Sequence, residues 1–269
     1  MDKTEELMKL NTRKRLYALA FAAVAGAVPG LAAAVPIIDG IDIGPGPFRF
    51  VSSTIMERKQ GTTNGTVGAI GDRLEGVGQV TQIFSGATLV WSTGQNGREL
   101  TFRFHDYFAT TVSAAHDTFT GGLIDFFSDT ARNANFGSTG VGSFIDGNAW
   151  LSLRGVEFNP GTPGGNRTLD STGTLLGSSI SGTGIGLLEV TGGPAGAAFD
   201  TNSQIAAGTG NRADFELNSS FNNLPSPFGF GTHGVASLSQ NAIPEPAPLA
   251  LLSLGLFGIG MMSRFKKRS

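Results

Sequence analysis

Glu99–Phe108 reads ELTFRFHDYF. Leu100, Phe102, Phe104 and Phe108 share one parity; Thr101, Arg103, His105 and Tyr107 share the other. Successive side chains of a strand point to opposite faces, so this alternation predicts a β-strand with one buried face. Ala149, Leu151 and Leu153 alternate in the same way with Trp150, Ser152 and Arg154, and Phe215 and Leu217 with Asp214, Glu216 and Asn218. Further strands are expected at Val77–Phe84, Ala87–Ser92, Phe119–Phe127, Leu175–Ile180, Gly186–Val190 and Gly234–Ser239. Between them lie turn-rich stretches: GQNG at 94–97, DGN at 146–148, NPGTPGGN at 159–166 and TGGPAG at 191–196. Short strands separated by glycine turns predict an all-β fold, an antiparallel β-sandwich or jelly-roll-like domain over residues 35–242. Leu123–Asn135 is the one helix-permissive piece, and Gly61–Gly78 reads as a loose loop or edge region.

Composition narrows the chemistry. The chain has 269 residues, 40 Gly, 20 Phe and no Cys. The lack of Cys excludes disulfides, Cys-containing zinc sites, thiolate catalysis and iron–sulfur clusters. The net charge of −2 hides two cationic ends. Residues 1–34 carry about +2 and residues 244–269 about +3, leaving about −7 on the middle, where Lys59 is the only lysine. Nucleic acid is not an expected partner of such a surface.

Candidate reactive residues are few. His105-Asp106 and His116-Asp117 each pair a base with a carboxylate, but no Gly-x-Ser-x-Gly elbow accompanies them. They read as strand or loop histidines rather than metal ligands. Asp125, Asp129 and Asp146-Gly147-Asn148 lack the dense spacing of a calcium loop. Glu99, Glu157, Glu189 and Glu216 sit singly on expected strands, whereas a glycosidase needs two carboxylates across a cleft. Trp91 and Trp150 are the candidates for stacking on a sugar, since the phenylalanines read as core. The expectation is a protein that is not an enzyme and carries no cofactor and no metal. The alternative is a secreted carbohydrate-binding protein or hydrolase.

The ends read as addresses. Arg13, Lys14 and Arg15 precede the apolar run LYALAFAAVAGAV (Leu16–Val28), then Pro29-Gly30 and the small residues Ala32-Ala33-Ala34. That is the layout of a secretory signal peptide over residues 1–34, used by a Sec translocon and cut by signal peptidase between Ala34 and Val35, with Ala32 at the other small-residue position. Met1–Leu7 is acidic, unlike a signal n-region, so translation is expected to start at Met8, which the precursor's N-terminal mass tests. At the other end, Pro244-Glu245-Pro246 precedes an uncharged apolar run over 247–263, the lower length limit for a spanning helix. Arg264, Lys266, Lys267 and Arg268 then form a basic stop that stays cytoplasmic.

This order at the chain end resembles the PEP-CTERM sorting signal, here over residues 243–269. The resemblance implies recognition at Pro244, Glu245 and Pro246 by exosortase, a membrane processing enzyme of Gram-negative bacteria. It also implies transient anchoring in the inner membrane by the 247–263 helix. The layout ADFELNSSFNN, GVASLSQN, IPEP is also similar to flocculation-associated PEP-CTERM proteins, whose β-rich exported domain runs directly into the signal. The expected function is an exported cell-surface or extracellular-matrix protein with a structural or adhesive role in biofilm or flocs. Extracellular polysaccharide is an expected partner.

Overall fold

The computed structural model describes residues 37–241 except 45, 64, 139, 177–178 and 223–231. The signal-peptide residues Ala32, Ala34 and Val35, the motif Pro244-Glu245-Pro246, the 247–263 run and Arg264, Lys266, Lys267 and Arg268 all lie outside the described residues.

The strands are β1 (Ile37–Ile38), β2 (Ile41–Asp42), β3 (Phe48–Lys59), β4 (Arg73–Ser85), β5 (Thr88–Ser92), β6 (Glu99–Thr111), β7 (His116–Asp129), β8 (Asn148–Gly155), β9 (Leu169–Leu176), β10 (Ser179–Gly192), β11 (Gln204–Ile205), β12 (Arg212–Ala213), β13 (Phe215–Asn222) and β14 (Thr232–Ser239). A single helical turn, α1 (Gly196–Phe199), follows β10. The all-β expectation holds. The strands do not form two facing sheets, however: they close into an eight-position antiparallel barrel. Its order is β3, β4, β6, β7, β8, β10, β13, β14, and β14 pairs back onto β3, with Leu238 opposite Phe50. Two positions are shared end to end. β8 and β9 both fill the gap between β7 and β10, and β5 extends the edge of β4 beyond β6.

Eight strands enclose just enough room for side chains or one small ligand. Here Phe50, Phe102, Phe104 and Phe126 fill the barrel, with Val80, Ile124 and Leu238 between them. Glycine makes this possible. A Cβ on Gly78 would lie 2.3 Å from the Phe102 ring, and one on Gly76 2.2 Å from the Phe104 ring. These bare positions on β4 are where the phenylalanines of β6 lie down. Gly61–Gly78 is therefore a loop only as far as Asp72; from Arg73 it is a central strand paired on both edges. One end of the barrel is plugged. Phe199 of α1 packs at 4.9 to 5.8 Å between ring centroids against Phe48, Phe50, Trp150 and Phe215. The β1–β2 hairpin adds Ile41 and the Ile38 carbonyl, which accepts the Trp150 indole N–H at 3.1 Å.

Other expectations shift for local reasons. Leu123–Asn135 is strand as far as Asp129, because Leu123–Ser128 pairs with both β6 and β8. Leu175–Ile180 is not one strand: Leu175 and Leu176 end β9 and Ser179 and Ile180 open β10, with Leu176 opposite Ser179. In β6 the alternation breaks at Asp106, whose φ is 56°. This bulge reverses the faces beyond it: Tyr107 turns inward and Phe108 outward, where the Arg73 guanidinium stacks 4.7 Å from its ring. A comparable register shift between Phe126 and Phe127 buries Trp150. Outside, Met56, Val77 and Phe144 form a second cluster under the 130–147 segment. Glu99 pins that segment by accepting the Asn133 and Ala134 backbone N–H groups at 2.7 and 3.1 Å.

Candidate functional site

The end of the barrel opposite α1 holds a cavity of about 120 Å³ bordered by Glu57, Asp117, Leu169, Ser219 and Thr232. A deeper cavity of about 40 Å³ shares Glu57, Leu74, Leu169 and Ser219 with it and adds Tyr107 and Ile124. The arrangement is a polar rim over an apolar pit.

Each polar group arrives there by strand register. β3 carries a bulge around Ser52–Thr54, after which Ile55 and Glu57 face inward and Met56 packs outside. Thr232, on the first residue of β14, donates its hydroxyl to Glu57 Oε2 at 3.1 Å. Burial pushes the Glu57 carboxyl up to about 7, against the opposing effect of the Thr232 hydrogen bond. Burial also raises Asp117, opposed by the Ser113 backbone N–H at 2.9 Å and by His116. Tyr107 is 1 % exposed, and its hydroxyl has no hydrogen-bond partner among the described residues. A Cβ on the facing Gly122 would lie 2.2 Å from its ring, so only glycine leaves it room.

The Glu57 shift has a sign. Below pH 4.5 the carboxyl is neutral in folded and unfolded chains alike, so burial carries no ionic penalty. As pH rises from 4.5 to about 7 the unfolded chain releases its proton first, and the folded state loses stability throughout that window. Glu57→Gln is therefore expected to raise the unfolding free energy by up to about 3 kcal/mol at pH 8 and to leave it nearly unchanged at pH 4. Urea unfolding at the two pH values measures this, and an equal change at both would contradict it.

Of the residues singled out from sequence, Asp117 borders this cavity, while the others lie elsewhere, with His105, Asp106 and Asp125 brought together on the outside of the barrel. His105 places Nδ1 2.8 Å from Asp106 and Nε2 3.2 Å from Asp125. The Ser152 hydroxyl donates to Asp125 at 2.7 Å rather than to the imidazole, so it forms no nucleophile–base pair. His116 instead bonds Asp170 at 2.7 Å. Asp129 accepts the Ala131 N–H, Asp146 the Asn133 amide, and Glu189 pairs with Arg154 at 2.7 Å. Glu216 accepts the Asn218 amide, and the Glu157 carbonyl accepts the Thr209 hydroxyl. Among the described residues no three His, Asp or Glu side chains are placed to hold a metal ion. Trp91 and Trp150 are fully buried, so neither offers a face to a sugar; they belong to the core.

Glu57 and Tyr107 escaped the sequence reading because a bulge precedes each and reverses the parity that alternation assigns. The available signal was Gly121-Gly122, a pair of strand glycines that an aromatic ring must face. The barrel's outward positions carry Arg58, Glu75, Arg103, His105, Asp125 and Arg154, while its inside is mostly apolar, with Glu57 as the charged exception near one end. That is the reverse of a lipid-spanning barrel. Among the described residues no helix is long and apolar enough to cross a membrane. No protein-family model, curated protein or solved structure matches this chain.

Proposed function

We propose that this chain is an exported cell-surface or extracellular-matrix protein, sorted and processed by an exosortase-type system, with a structural or adhesive role in biofilm or flocs. The observation that carries the reading is the terminal order of Pro244-Glu245-Pro246, the 247–263 apolar run and the Arg264–Arg268 basic cluster. The fold supports it in two ways. Gln240 donates to the Phe199 carbonyl at 2.7 Å and the Asn241 amide to Gln204 Oε1 at 2.8 Å. The barrel is thus tied down to within three residues of Pro244, so whatever holds the motif holds a rigid load. Closure also removes the unpaired edges through which strands aggregate. A barrel of this kind can be displayed densely, and its contacts then come from its Ser-, Thr- and Asn-rich outer surface, where extracellular polysaccharide is the proposed partner.

A strain lacking this chain is expected to lose cell aggregation and to regain it with the full chain but not with residues 1–243 alone. Normal aggregation and matrix in the null strain would remove the structural role.

A further inference from the structure

Tyr107 lines the deeper cavity together with Glu57, and its buried hydroxyl has no partner among the described residues. An unpaired buried hydroxyl is costly, so this one points to a group that belongs in the cavity. The chemistry of that group follows from what surrounds it. Val67, Leu74, Phe119 and Leu169 line the outer cavity and call for an apolar body there. The pit, at about 40 Å³, takes only a head group, whereas the outer cavity, at about 120 Å³, approaches the roughly 150 Å³ that holds a benzene ring, so the carbon body belongs in the outer cavity. The head must satisfy Tyr107 and Glu57 together, since both line the deeper cavity. A carboxylate head in the pit would be buried beside the Glu57 carboxyl with no cation among the lining residues. A pure hydrocarbon would leave Tyr107 unpaired. An ammonium head would have no lone pair for the Tyr107 O–H. A hydroxyl does both tasks: it accepts from Tyr107 and donates to Glu57.

We propose that the barrel cavity is a binding site for a small uncharged alcohol, with its apolar body in the outer cavity and its hydroxyl in the pit between Tyr107 and Glu57. The proposal stands independently of how the protein is sorted. Its rival is a single water on Tyr107, for which the deeper cavity has room.

The chain has two tyrosines, Tyr17 and Tyr107, so tyrosine labelled with ¹³C at Cζ reports on the site with two signals, and Tyr17→Phe assigns them. The purified full chain is titrated with benzyl alcohol, toluene and benzoate. Benzyl alcohol is expected to shift the Tyr107 signal to saturation. Toluene should bind about tenfold more weakly, and benzoate should give no saturable shift. Tyr107→Phe, followed by ligand-observed NMR, should bring benzyl alcohol down to the affinity of toluene. If that variant unfolds, Ser219→Leu, which fills lining shared by the two cavities, should abolish the shift while keeping the Tyr107 signal. An unmoved Tyr107 signal in the wild-type chain would overturn the proposal and leave the water. Equal affinity for benzyl alcohol and toluene would overturn the role of the hydroxyl.

Discussion

Arg167→Met is expected to lower the unfolding free energy by about 3–5 kcal/mol, because it strands a buried carboxylate. The Arg167 side chain is fully buried. Its Nη1 donates to Asp170 at 2.6 Å, Nε to the Gly165 carbonyl at 3.0 Å, and Nη2 to the Thr162 and Pro163 carbonyls, each at 3.0 Å. One guanidinium thereby gathers the NPGTPGGN turn and neutralises Asp170. In the variant Asp170 keeps only His116, and the carbonyls at 162, 163 and 165 each lose a donor. The double variant Arg167→Met, Asp170→Leu removes both charges and is expected to recover much of the loss, since an apolar pair of similar volume often replaces a buried ion pair without penalty. Urea midpoints at constant slope measure both effects. A single-variant loss below about 1 kcal/mol would mean the turn is held by something else.

Gly78→Val is expected to cost about 3 kcal/mol, by overpacking. The added Cβ falls within 2.3 to 2.9 Å of three Phe102 ring atoms, and that ring is confined by Phe126 at 5.3 Å between centroids. Phe102→Ala alone is expected to cost about 3–5 kcal/mol through the void it leaves. The two changes compensate in volume, so together they should cost at least 1 kcal/mol less than their sum. Gly192→Ala is the control: nothing lies within 4 Å of its Cβ, and its stability should change by less than about 0.5 kcal/mol. Strict additivity of the Gly78 and Phe102 changes would show that ring and glycine do not face each other.

These two sites mark what the sequence made legible. The alternation of Glu99–Phe104 located β6 and its buried face, and the glycine-rich stretches at 94–97, 146–148, 159–166 and 191–196 located breaks between elements, though only 146–148 lies between strands that pair with each other. The 20 Phe read as core, and Phe50, Phe102, Phe104 and Phe126 are core. Closure was not legible, because it rests on Phe50 meeting Leu238, a contact that no local pattern announces. The strand that makes it, FRFVSSTIMERK, is interrupted by its bulge and so shows neither a clean period of two nor a helical one. The glycine excess looked like loop composition; much of it is strand, placed opposite aromatic rings and neighbouring backbone. The cavity stayed hidden for the same reason, since Asp106 sends Tyr107 to the face that alternation gave to Phe108.

Fractionation of cells carrying the full chain or a chain lacking residues 244–269 tests the sorting claim most directly. The full chain is expected at the surface or in the medium, cut at both ends and without the Arg264–Arg268 cluster. The truncated chain is expected to miss that destination. Identical localisation of the two proteins would contradict the claim that Pro244-Glu245-Pro246 and the segment behind it direct this barrel.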